Sequence, residues 1–419
     1  MKKTITLILL CLMMLLPSYV RAASFNVDET VFEGLNATGV IIAESDTGEI
    51  VYESGADTRV WPASTTKLLT AMIVLDSCKL DDMVTVNASA INSVSWEYVK
   101  AGIYAGEQFT VEQLLNVMLI ASANDIANVL AEHVAGTVSS FAELMNQRAV
   151  QLGCSNSHFV NPSGIHNAQH YSTAKDMLKI AMAAVKYPKI LEITTKSSCT
   201  LPKTSKAGER KYTSTIQLIN SASANYCPLC IGGKTGYTTQ ANNCLVAFSK
   251  EGNTGFTVVI MNERSGYAAT KFAYAKKVFE YLHSKVVNVQ LATEDAVLEQ
   301  IRVKGATRKT RDLNVVYGTD ASMLVDLPQE EVQKTVEYDQ KLKAPIIAGQ
   351  EVGKVTFTRN DKVITVPLLA QTDVEKSYLW PIIIGSIFAL MIMFVAGVLI
   401  ARRVYRARRR KKKRSVKKA

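Results

Sequence analysis

The sequence predicts an α+β domain followed by a small all-β domain and one transmembrane helix. Three observations carry this. Up to residue 285, a strand hairpin leads into a block of apolar helices, then into more strands and a closing helix. Beyond residue 286 helical periodicity gives way to short alternating runs. Residues 379–401 form a charge-free stretch of 23 residues, about 34 Å as a helix and enough to cross a bilayer.

The first domain is expected over residues 23–285. The run ATGVIIAESDTGEIVYES reads as two strands around an Asp46-Thr47-Gly48 turn. Ser64 then stands where a helix should begin, and Leu68, Leu69, Ala71, Met72, Ile73, Val74 and Leu75 make that helix apolar on every side, so it belongs in an interior. Residues 76–101 are less regular. Thr110 is a plausible cap for a helix with Leu114, Leu115, Met118 and Leu119 on its buried side. Ser122 and Asn124 fall in a short break before a second apolar helix that ends at Gly136. A further helix stops at Gly153, and Ser172 caps the one after it in the simplest reading. Lys203 to Lys211 read as a basic loop, and residues 226–249 as two strands joined by a polar turn, with Lys234, Thr235 and Gly236 at the end of the first. A strand at 256–261 and a helix at 267–283 close the domain, whose sheet is then assembled from both chain ends. The second domain, residues 286–371, shows strand-like runs at 287–291, 313–317, 323–327, 352–357 and 362–368.

The formal charge of +11 is misleading until it is located. Twelve Lys or Arg and no acid occupy residues 402–419, and three more basic residues lie in the first 22, leaving residues 23–401 at −4. A mildly acidic body argues against nucleic acid as a partner. Lys2 and Lys3 ahead of an apolar run, with Ala22 at a small-residue cleavage site, read as a signal peptide over residues 1–22. The basic tail, residues 402–419, is expected to place the C-terminus in the cytoplasm and residues 23–378 outside the membrane.

Six cysteines follow the signal peptide, and their pairing stays open. Cys227 and Cys230 form one CxxC with no second pair, and His166 and His170 lie in a loop without the Glu of a metalloprotease, so no metal or cofactor is expected.

Ser64 and Lys67 are three apart, so both share one face of a helix, and a buried lysine close to a hydroxyl suggests an activated serine. The plainer reading makes Ser64 a cap. Spacing does not decide, because Ser172 with Lys175 and Ser415 with Lys418 repeat it. A histidine base is poorly supported, there being no Gly-x-Ser-x-Gly turn. A lysine base must be neutral, and burial beside a second cation such as Lys234 drives it that way.

PASTTK, SAND and GGKTG, in this order, resemble the three motifs of the penicillin-recognising serine enzymes, a transpeptidase and β-lactamase-like fold. The longer runs SANDIANVLAE, VNPSGIHNAQHYSTAKDM and KTGYTTQANNCLVAFS are similar to the D-alanyl-D-alanine carboxypeptidases, the low-molecular-mass penicillin-binding proteins. Residues 286–370, with KLKAPIIAGQEVGKV, resemble their β-rich C-terminal domain. The resemblance implies Ser64 as nucleophile, Lys67 as base and Ser122 as proton relay. It implies that Asn124, Lys234, Thr235 and Gly236 bind substrate, and that the backbone N–H groups of Ser64 and Tyr237 form the oxyanion hole. Peptidoglycan stem peptides would be the substrate and β-lactams inhibitors. Ala123 and Asn242 depart from glycines common in the family, Cys227 and Cys230 have no family role, and Arg264 is either a carboxylate ligand or a surface residue. An endopeptidase acting on cross-links and an inactive wall-binding protein on the same fold are the alternatives. A β-lactamase is disfavoured by the lack of a Glu-x-x-Leu-Asn motif.

Overall fold

The structure, a computed structural model, describes residues 27–327, 331–339, 342–360 and 362–416. The expected signal peptide lies outside these residues, as do the last three of the basic tail. The chain divides into two compact units, Met1–Val289 with Met323–Glu330, and Gln290–Ser322 with Glu331–Ala419.

The first unit begins with strands β1 (Ala37–Glu44) and β2 (Ile50–Ser54). A 3-10 turn, Ala63–Thr66, leads into α1 (Lys67–Ser77). After β3 (Met83–Thr85), α2 (Ala88–Asn92) and β4 (Gln108–Thr110) come the paired helices α3 (Val111–Ile120) and α4 (Asn124–Ala135). The remaining helices of this block are α5 (Val138–Gln151), α6 (Ala174–Ala184) and α7 (Pro188–Thr194). A small hairpin, β5 (Ser198–Leu201) and β6 (Arg210–Thr213), precedes β7 (Cys230–Thr238), β8 (Asn242–Glu251), β9 (Thr254–Glu263) and α8 (Thr270–Lys285).

Five strands from the two ends of this unit form one sheet in the order β2-β1-β9-β8-β7, antiparallel throughout. Alternation along β1 explains how both faces are covered. Ile41 and Ala43 join the core built on α1, α3 and α4, while Val40 and Ile42 join a second core with Phe272, Val278 and Phe279 of α8. The central strand β9 is therefore buried almost without interruption, with Val258–Met261 as its apolar run.

Two details differ from expectation. Ser64 is not in the α-helix but in the 3-10 turn ahead of it, directly after Ala63, which adopts a left-handed conformation with φ 47°. Thr173, not Ser172, caps α6, its hydroxyl accepting from Asp176 N, while Ser172 Oγ is bonded to Ser157 Oγ at 2.8 Å. Thr110 does cap α3, in a reciprocal box with Gln113. The basic loop at 203–211 is the tip of the β5–β6 hairpin plus the start of β6.

That hairpin clamps the segment leading to α3. The Glu107 carboxylate is buried and receives both Arg210 terminal nitrogens at 2.9 Å. Thr204 Oγ1 also donates to it. Tyr212 OH donates to Ala101 O at 2.7 Å, and Ala101 N donates to both oxygens of Asp125 at 2.9 and 3.0 Å. The segment is thus fixed to α4.

In the chain beyond α8, β10 (Val286–Ala292) pairs with β13 (Ala321–Asp326), whose Leu324 enters the second core of the first unit. The second unit holds a five-stranded sheet of β11 (Val297–Arg302), β12 (Asp312–Tyr317), β14 (Gln333–Tyr338), β15 (Glu351–Arg359) and β16 (Lys362–Ala370). Its order is β11-β12-β16-β15-β14. The chain ends in α9 (Leu379–Val416), which contains an apolar stretch of membrane-spanning length with mean hydropathy 2.8.

Glu107→Ala would leave the Arg210 guanidinium without its buried partner. It is expected to destabilise the first unit by about 3–5 kcal/mol, read as a lower denaturant midpoint at unchanged slope.

Candidate active site

Lys67 is the first residue of α1 and has no exposed surface. Its Nζ lies 3.0 Å from Ser64 Oγ, 2.8 Å from Asn124 Oδ1 and 2.6 Å from Ser163 O. The last two partners can only accept. Asn124 is oriented by its own Nδ2, which donates to Val99 O at 3.0 Å, so Oδ1 must face the lysine. A neutral amine has two N–H groups and one lone pair. Asn124 and Ser163 take up both N–H groups, and the lone pair is left pointing at the Ser64 hydroxyl.

The electrostatics favour that neutral form. Burial holds the Lys67 pKa well below the ordinary lysine range, and the charge of Lys234 lowers it further, with Asp125 opposing. Lys234, also fully buried, is lowered by burial to about 7. Its Nζ donates to Ser122 Oγ at 3.0 Å and to Thr235 O at 3.0 Å. Among the described residues neither amine has a carboxylate in ion-pair range.

Three pieces of chain converge to make this geometry. The 3-10 turn brings Ser64 above the end of α1. Ser122 sits in the break between α3 and α4 with a left-handed φ of 62°, a conformation that a non-glycine residue adopts at a cost of about 1–3 kcal/mol. Strand β7 supplies Lys234, Thr235 and Gly236 at the edge of the sheet, so its outer side has no strand partner. The amines are fully enclosed, while Ser64, Ser122 and Thr235 are half-buried and reachable from outside.

All three motifs read from the sequence are brought together, from Ser64 and Lys67 through Ser122 and Asn124 to Lys234, Thr235 and Gly236. A Cβ on Gly236 would lie 3.0 Å from Ala63 Cβ, Pro62 O and Ser64 N, so β7 runs directly against the Ser64 turn. Tyr237 follows with its side chain exposed. Arg264 is exposed as well, and among the described residues its only hydrogen bond is a backbone one to Asn36 O.

Sequence reasoning missed several contributors. The residues Asn161-Pro162-Ser163-Gly164 have the composition of a turn, but nothing in their types signals that the turn supplies an acceptor to Lys67. Asn161 Oδ1 receives Ser163 N, Ser163 Oγ and Gly164 N at 3.2, 3.0 and 2.8 Å, which aims the Ser163 carbonyl inward. Gly164, with φ 80°, packs so closely that a Cβ there would sit 1.8 Å from Ala63 O. Thr215 Oγ1 lies 2.6 Å from Thr235 Oγ1. His170 is buried behind the Ser64 turn, with Nε2 2.9 Å from Thr66 Oγ1 and Nδ1 receiving Val160 N, and burial lowers its pKa to about 3. Both ring nitrogens are therefore occupied. The six described cysteines are free thiols, and burial raises Cys230 to about 12.

Comparison with known proteins bears on the site. A profile described as D-alanyl-D-alanine carboxypeptidase matches residues 26–265, and one described as penicillin-binding protein 5, C-terminal domain, matches residues 288–376. The D-alanyl-D-alanine carboxypeptidase DacF of Bacillus subtilis is 27% identical over 349 residues, covering 81% of this chain and 86% of that protein. A D-alanyl-D-alanine endopeptidase of Pseudomonas aeruginosa is 28% identical over 273 residues, covering 65% of this chain and 85% of that protein. Among solved structures, penicillin-binding protein 5 of Haemophilus influenzae superposes with a TM-score of 0.70 at 25% identity, over 82% of this chain and 99% of that one.

Gly236→Ala is expected to push β7 off the Ser64 turn and slow labelling of Ser64 by an acylating β-lactam by about 100-fold. Circular dichroism should stay unchanged, since the strain is confined to one strand edge.

Proposed function

The chain belongs to the D-alanyl-D-alanine carboxypeptidase family, and on that premise we propose that it removes the terminal D-alanine from peptidoglycan stem peptides through an acyl-enzyme on Ser64. The observation that carries the mechanism is the Lys67 amine, held by two acceptors with Ser64 Oγ as its third neighbour. Lys67 takes the Ser64 proton as Oγ attacks the carbonyl of the scissile bond. The oxyanion is received by the N–H groups of Ser64 and Tyr237. As the tetrahedral species collapses, the proton taken up by Lys67 is relayed through Ser122 to the leaving D-alanine nitrogen, so the C–N bond breaks and Lys67 is neutral again. Water, deprotonated through Lys67, then cleaves the ester and restores Ser64.

Binding follows from the same geometry. The open edge of β7 pairs with an extended peptide as an added strand. Charged Lys234 and the Thr235 hydroxyl meet the terminal carboxylate. Gly236 keeps the approach close, and Asn124 holds the substrate amide. A β-lactam presents a strained amide and a carboxylate to the same groups, which accounts for inhibition.

The apolar part of α9 is read as a membrane anchor, with the catalytic domain outside the cell and the basic C-terminal segment in the cytoplasm. The domain scheme of signal peptide 1–22, catalytic domain 23–285, β domain 286–371, span 379–401 and tail 402–419 is part of this reading. The carboxypeptidase reading is preferred to an endopeptidase one because residues 288–376 match the penicillin-binding protein 5 C-terminal domain, and the carboxypeptidase relative covers 81% of this chain against 65% for the endopeptidase.

Full-length protein in detergent should be labelled by a fluorescent penicillin and should release D-alanine from a peptide ending in D-Ala-D-Ala. Ser64→Ala is expected to abolish labelling and lower turnover by at least about a thousandfold. Equal labelling of the variant would refute the assignment, and preferential cleavage of cross-linked muropeptides would favour the endopeptidase.

A further inference from the structure

At the far ends of the two site helices, Cys78, Asp82 and His133 each offer one ligand atom, and these atoms all lie within 4.8 Å of one another. Cys78 caps the C-terminus of α1, Asp82 lies in the turn after it, and His133 is in the last turn of α4. From the geometry we propose that this triad binds a divalent cation of zinc's class, as a tetrahedral site completed by water.

Donor type and orientation support it. A thiolate, an imidazole and a carboxylate suit zinc and its borderline neighbours and are poor for calcium or magnesium. Neither the Cys78 sulfur nor a His133 ring nitrogen has a hydrogen-bond partner among the described residues, so both donors are free. Asp82, by contrast, is already held in place. Its Oδ2 receives Lys79 N at 2.8 Å, its own N–H reaches Lys79 O at 3.2 Å, and its carbonyl receives Val111 N at 3.0 Å. A carboxylate oriented by a backbone N–H, on a residue whose own backbone is hydrogen-bonded on both sides, is what a supported metal ligand looks like. On coordination the Cys78 thiol gives its proton to solvent.

The site is remote from the chemistry. Cys78 follows Lys67 by one length of α1, 11 residues and about 16 Å. A cation here would tie together the far ends of the helices whose near ends hold Lys67 and Asn124, so its expected effect is on stability rather than on the chemical step.

The test is a cobalt(II) titration of chelator-treated full-length protein in detergent. Wild type should develop a thiolate-to-cobalt charge-transfer absorption saturating at one equivalent and displaced by zinc. Cys78→Ser should lose it, and His133→Ala should bind at least about tenfold more weakly. A Cys227→Ser/Cys230→Ser double variant should keep it. Zinc at a hundredfold excess over its dissociation constant should raise the thermal midpoint of wild type by about 5 °C, and not that of Cys78→Ser. No absorption in wild type, an unchanged one in Cys78→Ser, or its loss in the double variant would overturn the proposal. None of these readouts depends on the carboxypeptidase assignment.

Discussion

A buried primary amine must place its hydrogens on acceptors, and in this protein that requirement organises the catalytic unit. Lys67 reaches Asn124 Oδ1 and the Ser163 carbonyl, so α1, the start of α4 and the Asn161–Gly164 turn have to meet around one nitrogen. Each of these pieces is itself fixed. Asn124 is held to Val99 through both its backbone and side-chain nitrogens, and the turn is anchored to α1 by Thr70 Oγ1 on Pro162 O. The direction of the amine toward Ser64 follows from the other two bonds. The contact between Lys67 and Ser64 is therefore a consequence of hydrogen-bond accounting in the core.

The second buried amine completes the arrangement. Among the described residues the two enclosed lysines have no carboxylate in ion-pair range, and the fold splits their states by environment. Lys67 sees Lys234 as a repelling charge, whereas Lys234 is lowered by burial alone and remains nearer to neutral pH. One amine is thus suited to accept a proton and the other to meet an anion. The sheet serves this division by presenting Lys234 from its edge strand, where a peptide can approach without displacing a neighbour.

Much of this was legible in the sequence. The apolar character of the segment after Ser64 and the three motifs located the helix, the break and the strand that meet at the site. The sheet built from both chain ends followed from the order of elements. Spacing could not separate Ser64 and Lys67 from Ser172 and Lys175. What separates them in the structure is that Lys67 is enclosed, while Lys175 is paired with Asp57 at the surface. Backbone partners stayed hidden, since a carbonyl such as that of Ser163 leaves no residue-type signature. In the second unit, sequence runs marked β12, β15 and β16 but passed over β11 and β14. These two are the sheet's edge strands, only partly covered, and VLEQIR and QKTVEY accordingly lack apolar alternation.

The central claim is that Lys67 acts as a neutral base, and the pH dependence of Ser64 acylation by a β-lactam tests it most directly. The account predicts a second-order rate constant that rises as Lys67 loses its proton, well below the usual lysine value of about 10.4. The rate should then decline above about 7 as Lys234 loses the charge that holds the carboxylate. A rate that is flat across this range, or that rises only near the ordinary lysine value, would contradict the claim.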